Sequence, residues 1–466
     1  MSSLPRSPDS LLSTLAGRRV TVMGLGLFGG GATVARFLAR RGARVTVTDL
    51  RREAELAPAL RSLEGLPVRF VLGEHREEDF SGTELVVANP AVPPQSPFLS
   101  AARAHGVPVS SEIALFLELC PARIAAVTGT QGKSSTCNTL HQLLLAAGMR
   151  AHLGGNVGHS LLEECSEMRR EEVVVLELSS YQLEALPPQL GRSGRPPRVE
   201  WVAVTNVLAD HLERHGTLEG YAAAKRRILE LVEASRGAAL LSAECPRLSE
   251  WRPGRWERVD VWPTRASARG ANFHAGWFRL EEERLGRLED LRLPGHFQRE
   301  NTLLALALAR RLGASPAALA AAVGTLEALP HRMQDLGLHA GHRVIDNGVS
   351  TTPDSTISAV QSMRSGFTLL LGGKPKALAL DELVRTLQGR VRRVGIFGAA
   401  VEGFPSVFSA AGVECFAARR LEDAIAEAFA RMQPGEELLF SPACASFDAY
   451  LNFRERALAF RAALPS

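Results

Sequence analysis

Gly129-Thr130-Gln131-Gly132-Lys133-Ser134-Ser135 follows the apolar run Ile124-Ala125-Ala126-Val127-Thr128 and precedes a segment in which Cys137, Leu140, Leu144 and Ala147 recur at helical spacing. A strand, a glycine-rich turn and a helix that opens on lysine and serine make a phosphate cradle. Backbone amides surround the phosphates, Lys133 reaches the β and γ oxygens, and the Ser134 hydroxyl can ligate magnesium. The loop is not of the general G-x-x-x-x-G-K-S form, because Val127 stands five positions before Gly132. A second turn, Gly24-x-Gly26-x-x-Gly29, also follows a strand and opens a helix, with Asp49 about 25 residues on. Its glycines let backbone amides approach a diphosphate at a helix N-terminus, and the acid could hold a ribose hydroxyl. On these residues alone the motif fits NAD or any other nucleotide diphosphate.

Of the 54 basic residues only four are lysines: Lys133, Lys225, Lys374 and Lys376. A coding bias toward arginine explains the scarcity, and a lysine that survives it marks a place where a compact, deprotonatable amine is needed. Lys225 stands beside Arg226 and Arg227, either of which would serve a surface role. Glu177 ends the apolar run Val173-Val174-Val175-Leu176, as expected of an acid that reaches a P-loop magnesium from the neighbouring strand. Thr205-Asn206-Val207-Leu208-Ala209-Asp210-His211 ends another strand and puts a polar cluster at the edge where α/β ligand sites form. Two nucleotide sites, one of them with a phosphate-gripping lysine, point to an ATP-driven reaction on a nucleotide-linked substrate rather than to a simple dehydrogenase.

The elements that must position these residues alternate along the chain. Strand-like runs at Arg19–Met23, 43–49 and Leu85–Ala88 enclose an Ala/Arg/Leu-rich helical stretch, a βαβ pattern closing near residue 110. The P-loop segment, the Val173 run and Trp201-Val202-Ala203-Val204 belong to a second region. There the Trp- and Arg-rich stretch 252–280 reads as short antiparallel strands covering a sheet edge, and a helix is expected over 301–311. After Ala328-Leu329-Pro330 the alternation resumes with strands near 343–345, 367–371, 394–397 and 438–440. The expectation is an α/β protein of three domains, 1–110, 111–328 and 329–466, with largely parallel sheets.

Composition narrows the function classes. Hydrophobic residues make up 45% and charged ones 22%, the balance of a folded, soluble protein. The 54 basic and 50 acidic side chains form no long block of one sign, so nucleic acid is not an expected partner. Six scattered cysteines without a C-x-x-C pair suit buried thiols in a reducing compartment. With no apolar run of membrane-spanning length and no export signal at the N-terminus, a cytoplasmic monomer is expected.

Taken together, the motifs resemble the Mur ligases over nearly the whole chain, and within them the branch that adds D-glutamate to UDP-N-acetylmuramoyl-L-alanine. The family's G-T-x-G-K-[ST]-[ST] loop is Gly129 to Ser135, its E-L-S-S-x-Q-L-E is Glu177 to Glu184, and its G-G-N-x-G is Gly154 to Gly158. Its D-H is Asp210-His211, its carbamoylated lysine falls on Lys225, and His331-Arg332 matches the pair that opens the C-terminal domain. Gly372-Gly373-Lys374-Pro375-Lys376 resembles G-G-x-x-K, and Ser441 to Asp448 resembles S-P-A-C-A-S-x-D. Two motifs depart: G-x-H-N-x-x-N reads Gly295-His296-Phe297-Gln298-Arg299-Glu300-Asn301, and N-D-S-K-A-T reads Asp346-Asn347-Gly348-Val349-Ser350-Thr351.

The resemblance implies a Rossmann-like N-terminal domain, a central P-loop NTPase-like domain and a Rossmann-like C-terminal domain. The first would hold the UDP of the substrate rather than NAD. It assigns ATP to Gly129, Thr130, Gln131, Gly132, Lys133, Ser134, Ser135, Gln298, Asn301 and Arg332. UDP-linked substrate falls to Leu27, Phe28, Asp49, Arg51, Gly73, Asn156 and His211, and D-glutamate to Thr351, Lys376, Ser446, Phe447 and Phe453. Magnesium falls to Ser134, Glu177, His211 and carbamoylated Lys225, and catalysis to Lys133, Glu177, His211 and Lys225. The implied activity is ATP-dependent amide formation through an acyl phosphate in peptidoglycan precursor synthesis. Alternatives are a Mur-type ligase using another amino acid, a catalytically weak binder of the UDP substrate, and a nicotinamide-dependent oxidoreductase.

Overall fold

The computed structural model describes residues 15–26, 30–157, 159–188, 190, 197–376 and 379–465. Its contacts divide the chain into two compact units, Met1–Asp290 with Asn301–Gly324, and Leu291–Glu300 with Thr325–Ser466. The first unit carries two sheets and the second carries one.

The first sheet comprises β1 (Arg19–Met23), β2 (Arg44–Asp49), β3 (Val68–Leu72), β4 (Leu85–Ala88) and β5 (Val109–Ser110), all parallel in the order β3-β2-β1-β4-β5. Val20 and Val22 of β1 and Val45 and Val47 of β2 point to one face, where Val34, Phe37 and Leu38 of the helix Gly30–Arg40 cover them. Strand order reverses direction between β1 and β4, so the glycine turn after β1 sits at the switch point where such sheets bind ligands.

The second sheet comprises β6 (Arg123–Thr128), β7 (Ala151–Gly155), β8 (Val173–Glu177), β9 (Val199–Val204), β10 (Ala238–Ser242), β11 (Glu257–Trp262), β12 (Ala271–His274), β13 (Trp277–Leu280) and β14 (Glu283–Arg287). Their order is β14-β13-β12-β11-β10-β9-β6-β8-β7. Residues of both parities in β6 and β8 are buried, as befits central strands covered on both faces. β6 lies between β8 and β9, which brings the P-loop, the end of the Glu177 strand and the end of the Thr205 strand together. The stretch 252–280 corrects the expectation of purely antiparallel strands: β11 pairs parallel with β10, and β12 parallel with β11, before β12-β13-β14 meander. The return path through the helix Pro246–Ser249 lets β11 run in the same direction as β10. The helix expected over 301–311 begins earlier, as His296–Arg311.

The third sheet holds β15 (Gln334–His339), β16 (His342–Asp346), β17 (Phe367–Gly372), β18 (Val391–Phe397), β19 (Cys415–Ala418) and β20 (Leu438–Ala443) in the order β15-β16-β20-β17-β18-β19. All pairings are parallel except that of β15 with β16. Two apolar clusters sandwich it, one around Leu369, Leu371 and Phe408, the other around Leu370, Phe440 and Phe460. Among the described residues no helix is long and apolar enough to cross a membrane. Cys120, Cys137, Cys165 and Cys444 are buried free thiols.

At the end of this sheet away from the loops that follow β16, β17 and β20, Arg393 is buried against Glu436. Its Nη1 donates to Oε1 at 3.0 Å and Oε2 at 3.2 Å. Removing one member of a buried pair strands the other charge without solvent. Arg393 also meets the largely exposed Glu414 at 3.3 Å. Glu436→Ala is expected to lower stability by about 3 kcal/mol, read as a shifted midpoint in urea unfolding followed by a probe in the second unit; an unshifted midpoint would show that the existing contact with Glu414 is enough for Arg393.

Candidate active site

The loop after β6 is shaped from outside. Gly132 has φ +79°, and a Cβ there would stand 2.3 Å from Asn301 Oδ1, so the amide of the helix His296–Arg311 closes directly over the turn. Thr205 Oγ1 donates to Gln131 O at 2.6 Å, the Gln131 amide donates to Asn206 Oδ1 at 3.0 Å, and the Thr130 amide to Asn206 O at 2.9 Å. Thr130 Oγ1 accepts from the Leu208 amide at 2.9 Å. Two consecutive P-loop residues, Thr130 and Gln131, are thus hung on the end of β9 through their own amides, and the approach to phosphate falls to the turn at Gly132 and the first turn of the helix Lys133–Ala146. Ser134 is buried in that first turn, Ser135 half-buried, and Gln131 exposed.

Two lysines meet this loop from opposite sides. Lys133 Nζ donates back to Thr130 O at 2.7 Å, the resting position of a side chain that phosphate oxygens could draw outward. Lys225, fully buried on the helix Leu218–Arg226, donates to Gly129 O at 2.6 Å and lies 4.5 Å from the Tyr221 ring centre. Burial, reinforced by the like charge of Lys133, pushes the Lys225 pKa down to about 6, against the weaker pull of Asp210 and Glu177. At neutral pH it is mainly the free amine, the form that can add CO2 and become a carboxylate. Tyr221 donates to Thr130 Oγ1 at 3.2 Å, tying the lysine's helix to the loop.

Glu177 ends β8 fully buried. Its Oε1 accepts from Asn156 Nδ2 at 2.7 Å, and its Oε2 is buried with no hydrogen-bond partner. An orphaned carboxylate oxygen beside a P-loop fits a hard cation, and with the Ser134 hydroxyl it offers the oxygen donors that magnesium takes. Among the described residues no three His, Cys, Asp or Glu side chains converge on one point.

His211 is exposed, with φ +51°, at the start of the short helix Leu212–His215; its ring meets Tyr181 edge-on at 5.3 Å and Tyr221 at 6.2 Å. Three residues on, Arg214 donates to Glu184 Oε2 at 2.8 Å and to the carbonyls of Pro90, Ala91 and Val92 at 3.1–3.3 Å. It thereby joins the loop after β4 to the helix Ser180–Glu184. The sequence reading passed over Arg214, Tyr181 and Tyr221; nothing separates one arginine from fifty.

In the first sheet Asp49 Oδ2 accepts from the Leu25 amide at 2.9 Å and the Gly26 amide at 3.2 Å, and Oδ1 accepts from the Arg51 amide at 2.9 Å. Three of a carboxylate's roughly four acceptor sites are therefore spent on shaping the glycine turn, with one left for a ribose. Gly73 donates its amide to the carbonyls of Asp49 and Arg51, and the Arg51 side chain is exposed. Leu27, Phe28, Gly29 and Gly158 lie outside the described residues.

In the second unit the expected residues fall on loops at one end of the third sheet. Ser446 is buried after β20, Phe447 is exposed, and Phe453 opens the helix Phe453–Ala462, capped by Asn452. Thr351 follows β16, half-buried, and Lys376 follows β17, exposed. Lys374 joins two of these loops through paired backbone bonds with Ala445. Arg332 is half-buried near the start of the unit, and Gln298 is buried three residues before Asn301 in their common helix.

The N-D-S-K-A-T departure has a structural form. Asp346 ends β16 and Asn347 follows it, and their side chains take different partners. Asp346 Oδ2 takes His331 Nδ1 at 2.7 Å and Arg461 Nε at 2.8 Å, whereas Asn347 Nδ2 donates to Ser441 Oγ at 3.0 Å. The acid has moved one position into the interior, where it holds His331.

Comparison with known proteins agrees with this architecture. Residues 127–309 match the family described as Mur ligase middle domain, and residues 18–111 the Mur ligase MurD-like N-terminal domain. A UDP-N-acetylmuramoylalanine--D-glutamate ligase of Roseiflexus sp. (strain RS-1) is 38% identical over 96% of this chain and 98% of its own. One of the same name from Geobacter metallireducens is 38% identical over 97% and 98%. Among solved structures, the UDP-N-acetylmuramate-alanine ligase MurC of Thermotoga maritima superposes with a TM-score of 0.60 at 19% identity, covering 96% of this chain and 98% of that one. The MurF ligase of the same organism, solved with ADP, gives 0.55 at 17% identity over 99% and 98%. The chain belongs to the Mur ligases, a family of ATP-dependent ligases.

The Lys225 amine carries a pH signature. Between its folded pKa of about 6 and its ordinary 10.5, the unfolded chain binds a proton that the folded chain does not, so this group makes stability rise with pH. Below about 6 the cost of burying the ammonium is fully present. In metal-free protein, Lys225→Met is expected to be more stable than the unaltered chain near pH 6, with the gap narrowing steadily as pH rises from 6 toward 10.5. Parallel urea-unfolding curves across that range would show that Lys225 is not the titrating group.

Proposed function

We propose that this chain joins D-glutamate to UDP-N-acetylmuramoyl-L-alanine at the expense of ATP, in the cytoplasm and as a monomer, as a step of peptidoglycan precursor synthesis. The observation that carries the proposal is the full-length likeness, at 38% identity, to ligases bearing that name. In this reading residues 1–110 hold the UDP-linked substrate, 111–328 bind ATP, and 329–466 receive the amino acid. The nicotinamide alternative is set aside, since it gives no role to a P-loop or to a buried lysine amine.

The chemistry follows from the groups available. The γ-phosphoryl group of ATP passes to the L-alanine carboxylate, ADP leaves, and the amine of D-glutamate attacks the acyl phosphate. The tetrahedral intermediate then expels inorganic phosphate, leaving an amide. Amides at the start of the helix Lys133–Ala146, together with Lys133, balance charge that builds on the transferring phosphoryl oxygens. Ser134, Glu177, His211 and the carboxylate made from Lys225 would hold magnesium, which when bound neutralises phosphate charge and orients the two reacting oxygens. Asn156 fixes the free orientation of Glu177 through its 2.7 Å bond and sits where the UDP-sugar would pass. Asn301, and Gln298 in place of a shorter amide, would meet the base of ATP, with Arg332 on its phosphates. Thr351, Lys376, Ser446, Phe447 and Phe453 would enclose D-glutamate.

A second reading rests on one observation: where the resemblance has an acid and a lysine, Asn347 and Val349 stand, and Asn347 is already bonded to Ser441. A ligase selective for another amino acid would differ at that place. Phosphate release from ATP with magnesium and UDP-N-acetylmuramoyl-L-alanine, measured against a panel of amino acids, decides between them. Release with D-glutamate alone is expected, reduced about a hundredfold or more in Lys133→Ala. Release with a different amino acid transfers the specificity, and none with any amino acid leaves a binding protein.

A further inference from the structure

Among the described residues the largest fully buried side chain is an arginine with no carboxylate bonded to it. Arg456 has no exposed surface, although it stands in the first turn of the helix Phe453–Ala462. Its Nη1 donates to the carbonyls of Cys444 at 2.9 Å, Ala445 at 3.2 Å and Gly372 at 3.4 Å; its Nη2 donates to those of Ser350 at 3.1 Å and Gly348 at 3.4 Å. Four of the oxygens belong to the loops that follow β16 and β20, and the fifth, of Gly372, ends β17 where its loop begins. Each loop carries one residue assigned to the amino acid: Thr351 next to Ser350, Lys376 four residues after Gly372, and Ser446 next to Ala445. Gly373, at φ +120°, makes room for the guanidinium, since a Cβ there would stand 2.8 Å from Nη1 and 2.4 Å from Ala445 O.

A guanidinium is the one side chain that can bind so many carbonyls in fixed geometry while remaining charged. By drawing carbonyls inward, it turns the opposite sides of the same loops outward. Its positive charge, bonded only to neutral oxygens, also reaches the loop surface through little water, where it acts at higher strength than in bulk. We propose that Arg456 is the positioning residue of the amino-acid site: it sets the spacing of Thr351, Lys376 and Ser446 and adds a fixed positive charge that favours a dicarboxylate substrate. The inference rests on the function proposed above and deepens it.

The test compares Arg456→Lys with Arg393→Lys in the full chain. Arg393 is buried in the same unit, but it pairs with Glu436 at the other end of the sheet. Arg456→Lys keeps the charge and loses most of the carbonyl contacts, so KM for D-glutamate is expected to rise about tenfold or more, with the dissociation constant for ATP unchanged. Arg393→Lys should lose stability and leave that KM where it was. An unchanged KM in Arg456→Lys, or an equal rise in both variants, overturns the inference. Failure of the functional reading shows differently, as no D-glutamate-dependent phosphate release by the unaltered protein. Should Arg456→Lys not fold, hydrogen exchange on the unaltered protein decides, with and without D-glutamate in the presence of a non-hydrolysable ATP analogue and the UDP substrate. Joint protection of 348–351, 372–376 and 443–446 supports one shared anchor, and protection of a single loop refutes it.

Discussion

A phosphate-binding loop must keep the amides that lead into its helix for the ligand, so the residues before them have to be held in shape by other elements. Everything around residues 129–132 answers that constraint. The end of β9 supplies Thr205 and Asn206 to hold Thr130 and Gln131, Lys225 holds the Gly129 carbonyl, and Asn301 closes over Gly132. The strand order follows from the same need. With β6 between β8 and β9, the loop has Glu177 on one side and its scaffold on the other, with no long side chain required to bridge the gap.

The same solution recurs in the other two sheets with the signs rearranged. After β1 a carboxylate, Asp49, gathers three amides; after β16, β17 and β20 a guanidinium, Arg456, gathers five carbonyls. In these two sheets the ligand loops are shaped by a buried charged side chain whose partners are backbone groups. Hydrogen bonds to an ionised group are roughly twice as strong as neutral ones. One such group can therefore order a loop that has no regular secondary structure to support it.

What the sequence disclosed follows from this division. The apolar runs located β1, β2, β4, β6, β8, β9, β16, β17, β18 and β20, because strands buried on both faces must be apolar at nearly every position. β3, β5, β7, β10, β15 and β19 were not legible as strands; β15, an edge strand with Leu338 largely exposed, and β19, a four-residue Cys-Phe-Ala-Ala strand, carry no such pattern. The parallel course of β11 was hidden because pairing direction depends on the path of the connection rather than on strand composition. Lys133, Lys225 and Glu177 were legible as a rare residue type or as a strand-terminal acid beside a glycine loop. Arg214 and Arg456 were not, because in a chain with fifty arginines an arginine that anchors three loops is written like one that is merely solvated. The N-D-S-K-A-T departure looked like the loss of an acid; only the pairing of Asp346 with His331 and Arg461 shows a carboxylate shifted by one residue into the interior.

The two buried cations explain why the chain uses both residue types. Lys225 has one carbonyl and one aromatic ring for company, too few partners to stabilise an ammonium, and its amine gives up the proton with a pKa of about 6. Arg456 is buried as completely, yet its pKa falls only to about 10, so it stays charged, with carbonyl oxygens at both terminal nitrogens and none at Nε. An arginine at 225 would bring a charge that the pocket beside Gly129 cannot solvate and could not shed. A lysine at 456 would have too few donors and the wrong shape to hold three loops. These two positions are decided by whether the buried group has to lose its proton or keep it.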